Sequence, residues 1–442
     1  MSNVPMTLPE LMLAEHETAC GHSSTFAELD DGRILHVAAN WRSYSEDGGL
    51  TWSNMVQDLV DVNGEMVNGV ALVKLSGRNS VGLAGSLLRE PEPTPYAATP
   101  GSTSALFWRS DDGGQTWTEP VQMNAPETIA HFYADVFLRT SSGRIILPVY
   151  TATGQGHDRP TPSSGKLIRN QWVSTAGHFF DAHFSTSYVL YSDDEGRTWK
   201  RNMDGDLIIL LDFNATFSFV NEPSVTEVAP GRLLMVMRNG LGRLFQAWSN
   251  DDGESWTRPQ PTSLASSTVP AQIRTLPNGH LLCVWNQENH EEVKRGYNRT
   301  RVSAAISRNG GSVWEFFQNV QSLHETTRVE PGPIEPLRPA EQVFRPGQPA
   351  PVREAEHILT ADTHGRWGYP SVLVMKDRVL IAHTYSTYQD DPIKAQLIRN
   401  KSDDTGELIT QKQKILPLRW FYGGKEPANN PFLTDAYEPA KP

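Results

Sequence analysis

The chain has 442 residues, a formal net charge of -12 and a pI near 5.6, with 38% hydrophobic and 20% charged residues. The acidic balance argues against nucleic acid or an anionic membrane as partner, no run approaches the roughly 18 apolar residues of a membrane span, and two cysteines, Cys20 and Cys283, are too few for a disulfide framework or a cysteine zinc site. The apolar content is enough for a large core, and 34 Gly with 31 Pro suit many short strands and turns.

Residues Met1 to His16 carry no basic region followed by an apolar run, so no signal peptide is expected and a cytoplasmic location is the default. The first repeated element is a hairpin, Asp31-Gly32-Arg33-Ile34-Leu35, followed by a Ser-x-Asp-x-Gly-x-Thr-Trp box at Ser45 to Trp52. A looser hairpin runs from Leu75 to Leu83 around Gly77 and Arg78, and a second box occupies Ser110 to Trp117. Between them, Arg89 to Gly101 is rich in proline and reads as a loop. The third hairpin surrounds Gly143 and Arg144 and the third box is Ser192 to Trp199, with a long polar segment, Gly154 to Trp172, between. The fourth pair is the hairpin at Gly231 and Arg232 and the box at Ser249 to Trp256, with Ser255 for Thr. The fifth is the hairpin at Asn278 to Leu282 and a degenerate box at Ser307 to Trp314, with Asn309 for Asp and Val313 for Thr. Glu330 to Arg353 holds seven prolines and no periodicity, which reads as an extended excursion. The sixth hairpin, Lys376 to Leu380, has no box, and residues after Gln411 read as a terminal strand or tail.

Each box position has a physical reason. The Asp or Asn side chain accepts from turn N–H groups, the Gly permits a positive φ, and the Trp packs on the sheet. Six alternating hairpins imply six four-stranded blades, so the expected architecture is an all-β, six-bladed propeller with box turns on its rim. Residues 1–442 read as a single domain, with the proline-rich excursion at about 323–358 and a C-terminal tail at about 411–442.

From about His22 to Ser386 the repeats resemble the sialidase (neuraminidase) superfamily of Asp-box, or BNR, proteins. The resemblance implies an exo-glycosidase with a tyrosine nucleophile activated by a glutamate, an aspartate acid/base and three arginines that clamp a carboxylate. It implies no cofactor and no metal. Asn221-Glu222-Pro223-Ser224 is similar to the segment that carries the activating glutamate, and Trp367-Gly368-Tyr369-Pro370 to the one that carries the nucleophile. A phenol ordinarily ionises near pH 10 and needs a base to attack, so Glu222 beside Tyr369 makes chemical sense. Arg238 matches the second clamp arginine. The third is Arg299, or Arg301 on the same strand face. Guanidinium groups suit this task because they bind carboxylates through two parallel hydrogen bonds.

The chain departs from that pattern at two places. Ala19 to Thr25 has no arginine, and His22 stands where the first clamp residue would be; Ala38 to Ser43 has no acid. His131 and Asp135 are the expected replacements as proton suppliers. His178 and His183 flank Asp181 at no recognised metal spacing, and His157 lies in the polar loop. The departures imply a divergent branch acting on an anionic or otherwise unusual sugar. Two further readings stand beside it: a propeller-type polysaccharide lyase using His131, Tyr188 and an arginine, and a carbohydrate-binding propeller without catalysis. The carbohydrate is the expected partner, and the long loops offer surfaces for a substrate mouth or a homo-oligomer interface.

Overall fold

The computed structural model describes residues 5–18, 24–87, 105–125, 130–153, 165–168, 171–174, 184–203, 207, 209–210, 217–218, 220–295, 297, 299–335, 343–344, 367–385 and 410–425. Six antiparallel sheets form the six blades of a β-propeller. Blade 1 comprises Thr25–Glu28, Ile34–Ala38 and Trp41–Ser45; blade 2 comprises Val67–Lys74, Val81–Leu87, Leu106–Ser110 and Val121–Gln122. Blade 3 is built from Leu138–Arg139, Ile145–Thr153, Phe184–Ser192 and Lys200–Arg201, and blade 4 from Asn221–Ala229, Arg232–Arg238, Arg243–Ser249 and Gln260–Ala265. Blade 5 holds Gln272–Thr275, Leu281–Asn286, Arg301–Ser307 and Glu315–Ser322. Blade 6 joins both ends of the chain: Gly368–Val374, Arg378–Tyr385 and Thr410–Pro417 are completed by Ala14–Thr18, with Ala14 opposite Ile415 and Thr18 opposite Gln411. The segment expected as a strand or tail from Gln411 is therefore a strand at its start, followed by the 3-10 turn Leu418–Tyr422 with Trp420, Phe421 and Tyr422 buried. No helix among the described residues is long and apolar enough to cross a membrane.

The boxes sit between the third and fourth strands of blades 2 to 5 and after the third strand of blade 1. In each, the Ser hydroxyl accepts from the Gly N–H at 2.8 Å. The Asp or Asn Oδ1 accepts from the N–H four residues on, at 2.8–2.9 Å. The last glycine of each turn has a positive φ and packs on the preceding blade: Gly114 against Leu35, Gly196 against Phe107, Gly253 against Ile146, Gly311 against Leu234, and Gly49 against Ile415 and Leu380 of blade 6. The boxes are thus staples between neighbouring blades, away from the axis.

Two small additions lie outside the blades. Gly165–Ile168 pairs with Gln171–Ser174 inside the long polar segment. Val343–Phe344, in the proline-rich excursion, pairs with Phe217–Ser218, which pairs with Ile209–Leu210. The front of the excursion is tied to blades 4 and 5: Val329 N–H donates to Gln287 at 2.8 Å, Gln287 donates to the Thr327 carbonyl at 2.8 Å, and Arg243 donates to the Gly332 carbonyl.

Candidate active site

The first strands of the blades converge on the axis, and those of blades 2, 4 and 6 open a bulge, the one in blade 2 between Gly69 and Ala71. In blade 4 the register breaks between Asn221 and Ser224; in blade 6 it breaks between Gly368 and Ser371. Glu222 (φ 42°) and Tyr369 (φ 52°) sit in these bulges in the left-handed region, each followed by a proline. A bulge re-aims a side chain out of the strand alternation. Here it brings the two side chains to one guanidinium: Arg238 Nη1 lies 2.5 Å from Glu222 Oε2 and 3.3 Å from the Tyr369 hydroxyl. Glu222 is 4% exposed. Burial alone would lower the pKa of Arg238, but Glu222 and Tyr369 outweigh it and hold the guanidinium more firmly charged than usual.

Arg299 stands over the ring of Tyr369, its Cζ 5.2 Å from the centroid. It too has a left-handed backbone, φ 53°. Its guanidinium makes no ion pair among the described residues, although it is half-buried. Arg301 does not join it. That side chain is 1% exposed, donating to Glu292 at 3.0 Å and to the Gln287 carbonyl at 2.8 Å. The expectation of a shared strand face fails because the left-handed residue at Arg299 precedes the strand and breaks its alternation.

Asp135 is at the axis but is committed elsewhere. Its Oδ1 accepts from Thr25 Oγ1 at 3.0 Å, and its Oδ2 accepts from Val372 N at 2.7 Å and Arg274 Nη2 at 3.0 Å. Burial pushes its carboxyl pKa up, and Arg274 pulls it part of the way back. With these donors from blades 1, 5 and 6, Asp135 ties the ring together.

His131 lies at the start of blade 3, bridged backbone to backbone with Tyr150 at 2.8 Å in both directions, the two rings 5.4 Å apart. Tyr133 donates to the Pro370 carbonyl at 2.6 Å and meets Tyr369 edge-on with ring centroids 5.9 Å apart. Tyr188, the partner of His131 in the lyase reading, is an interior residue. It is 1% exposed, Arg201 lies 4.0 Å over its ring, and burial pushes its phenol up to about 12. Cys283 is buried and unpaired. His22, His157, His178, Asp181 and His183 lie outside the described residues, and no group of side chains able to hold a metal occurs among the described ones. A rim groove of about 240 Å³ beside Leu59, Val60 and Trp117 contains none of the residues named here as site residues.

Sequence reasoning missed Tyr133, Tyr150 and Arg274. Tyr150 carried a usable signal: it follows the hairpin glycine of blade 3 by the same number of positions as Arg238 follows that of blade 4 (Gly143 to Tyr150, Gly231 to Arg238).

A family model, the BNR repeat-like domain, matches residues 96–381. The chain belongs to this BNR family. Similar solved structures include a protein of unknown function from Dyadobacter fermentans, at 17% identity and a TM-score of 0.54, covering 94% of this chain and 97% of that one. The Hadza microbial sialidase Hz136 follows at 14% identity and 0.51, covering 93% and 67%. Trypanosoma rangeli sialidase in complex with 2,3-difluorosialic acid, a covalent intermediate, gives 13% and 0.51, covering 91% and 55%. At these identities the BNR chain shares the fold with them. Among curated proteins, a probable oligoxyloglucan-reducing end-specific xyloglucanase of Neosartorya fischeri is 26% identical over 230 residues, 49% of this chain. The chain spans about a quarter of that relative, 27% of its length.

Proposed function

We propose that this protein is a glycoside hydrolase that releases a terminal acidic sugar from a glycan. The observation that carries the reading is the cluster at the blade 4 and blade 6 bulges. Glu222 and Tyr369 meet at Arg238, and Arg299 stands beside them with no acidic partner among the described residues. One carboxylate, Glu222, pairs with Arg238, while Arg299 over the Tyr369 ring has no acidic partner among the described residues, which leaves positive charge for an anionic ligand. The similarity to sialidases in fold and to a xyloglucanase in sequence supports a glycan as the substrate class.

In this mechanism the Tyr369 oxygen attacks the anomeric carbon as its proton passes to Glu222, and the leaving oxygen departs with a proton taken from water, which becomes hydroxide. That hydroxide then displaces the sugar from Tyr369, and Glu222 returns the proton to the released tyrosine oxygen. Arg238 holds both reacting side chains and, with Arg299, the acidic group of the sugar. Four residues gathered at the axis, Asp135, Glu222, Arg299 and Tyr369, have left-handed backbones. Such conformations cost about 1–3 kcal/mol each and persist where the surrounding structure over-determines them, often at reactive sites.

The test is a pair of variants. Tyr369→Phe removes one hydroxyl and Glu222→Gln one charge. Tyr369→Phe is expected to keep the parent's melting temperature and Glu222→Gln to melt lower, because Arg238 loses its buried partner, and each is expected to lose at least about 100-fold in turnover of an acidic-sugar glycoside. Parent-like turnover in either stable variant sinks the mechanism. A parent that binds the sugar but releases neither a reducing sugar nor an unsaturated uronate would instead be a binding propeller.

A further inference from the structure

Three blades carry a cross-strand pair on the second strand near the axis, its partner lying in the first strand in blades 4 and 6 and upstream of it in blade 3. The pairs are His131 with Tyr150 in blade 3, Asn221 with Arg238 in blade 4, and Gly368 with Thr384 in blade 6. In blade 4 the second member reaches the reacting groups. In blade 6 it is spent locally, since Thr384 donates to the Gly368 carbonyl at 3.0 Å. In blade 3 the second member is a tyrosine that is 6% exposed, with the His131 ring leaning on its own. Tyr150 feels the charges of Glu222, Tyr369 and Arg238, and its hydroxyl has no hydrogen-bond partner among the described residues. Burial and the nearby Glu222 push its phenol pKa well up, so it keeps its proton. The ring is buried, while the hydroxyl stands beside a charged cluster with no partner among the described residues, which leaves it a donor for a ligand.

We propose that Tyr150 is a third substrate anchor, whose hydroxyl donates to the acidic group of the sugar held by Arg238 and Arg299. This rests on the acidic-sugar reading above. It gives the anion a neutral donor from blade 3 in addition to two guanidinium groups. Tyr150 touches substrate in this assignment but forms and breaks no covalent bond.

The experiment compares the parent with Tyr150→Phe, using calorimetric titration with N-acetylneuraminic acid, with glucuronic acid and with the methyl ester of each. The hydroxyl bonds no described residue, so the variant is expected to melt as the parent does. It should bind the acid that the parent prefers about 10–100-fold more weakly, the loss of one hydrogen bond to a charged group. It should bind the corresponding ester as the parent does. Equal acid binding by parent and variant overturns the assignment. So does an equal loss on acid and ester, which marks a packing role. A parent that binds neither acid overturns the acidic-sugar reading itself, and the Tyr150 assignment falls with it. In that case the parent, rather than the variant, reports the failure.

Discussion

At the scale of single residues, what distinguishes the site from the rest of the ring is backbone conformation as much as side-chain chemistry. Glu222 and Tyr369 were legible because a carboxylate and a phenol each stand before a proline at the start of a first strand, at matching places in two repeats. Arg301, the alternative to Arg299, does not share its face, because Arg299 turns left-handed before the strand begins. Tyr150 was passed over because a tyrosine in an apolar strand reads as core, and only the register against Arg238 tells otherwise. Residues away from the axis set the acid tolerance of the protein. His36, bonded to Ser24 at 2.8 Å and stacked on Phe26, and His383, beside Lys414, are both buried, and burial holds each imidazole at about 3. In the unfolded chain both titrate near 6.5. Between these values the unfolded state binds more protons than the folded one, so stability rises with pH across that window and is lost as pH falls from 6.5 toward 3. Melting curves taken from pH 7 down to pH 4 should show a falling melting temperature, with a shallower slope in His36→Gln combined with His383→Gln. An unchanged slope in the double variant would assign the acid sensitivity to other groups.

At the scale of elements, the boxes show why the fold could be read so directly. Each is a local code: the hydroxyl, carboxylate and glycine that close the turn lie within a few residues of one another, so the pattern survives in the linear sequence. What the boxes hold could not be read, because their contacts are with another blade. Gly196 makes the point. Its φ is +80°, and a Cβ there would lie 2.0 Å from the Phe107 ring of blade 2. Gly231, in a hairpin turn with φ +71°, has nothing within 4 Å of such an atom. Gly196→Ala should therefore cost the backbone strain plus an overpacking penalty of about 1–3 kcal/mol. Gly231→Ala should cost only the strain, roughly 1–2 kcal/mol. Urea titration of the two variants decides it, and equal losses would mean that the box glycine is not a staple. Blade 1 was less legible. It has three strands where four were expected, and in place of the fourth a lone bridge pairs Arg42 with Val56. The irregular stretch that follows its box gives no alternation from which a strand could have been read.

At the scale of the molecule, the ring is closed by its own first strand. No local pattern in Ala14–Thr18 announces this, since its partners lie at the far end of the chain, and the pairing is backbone to backbone with added salt bridges from Glu15 to Lys412 and Lys414. Removing residues 1–18 would leave Thr410–Pro417 as an unpaired edge, which is a template for pairing with another chain. The truncated protein should melt earlier and scatter light as larger species. A truncated monomer with the parent's melting temperature would show that the closure contributes little. The same closure bears on how the protein is made. Ala14–Thr18 is synthesised long before its partner strand Thr410–Pro417, so at 5–20 residues per second the two are separated by roughly 20–80 s of translation. Blades 1 to 5 can form while the ribosome is still working, but blade 6 cannot, and the growing chain carries an unpaired leading strand throughout. The ring closes when an early strand meets one made much later, and a ribosome that stalls before Thr410 leaves five blades and an open ring.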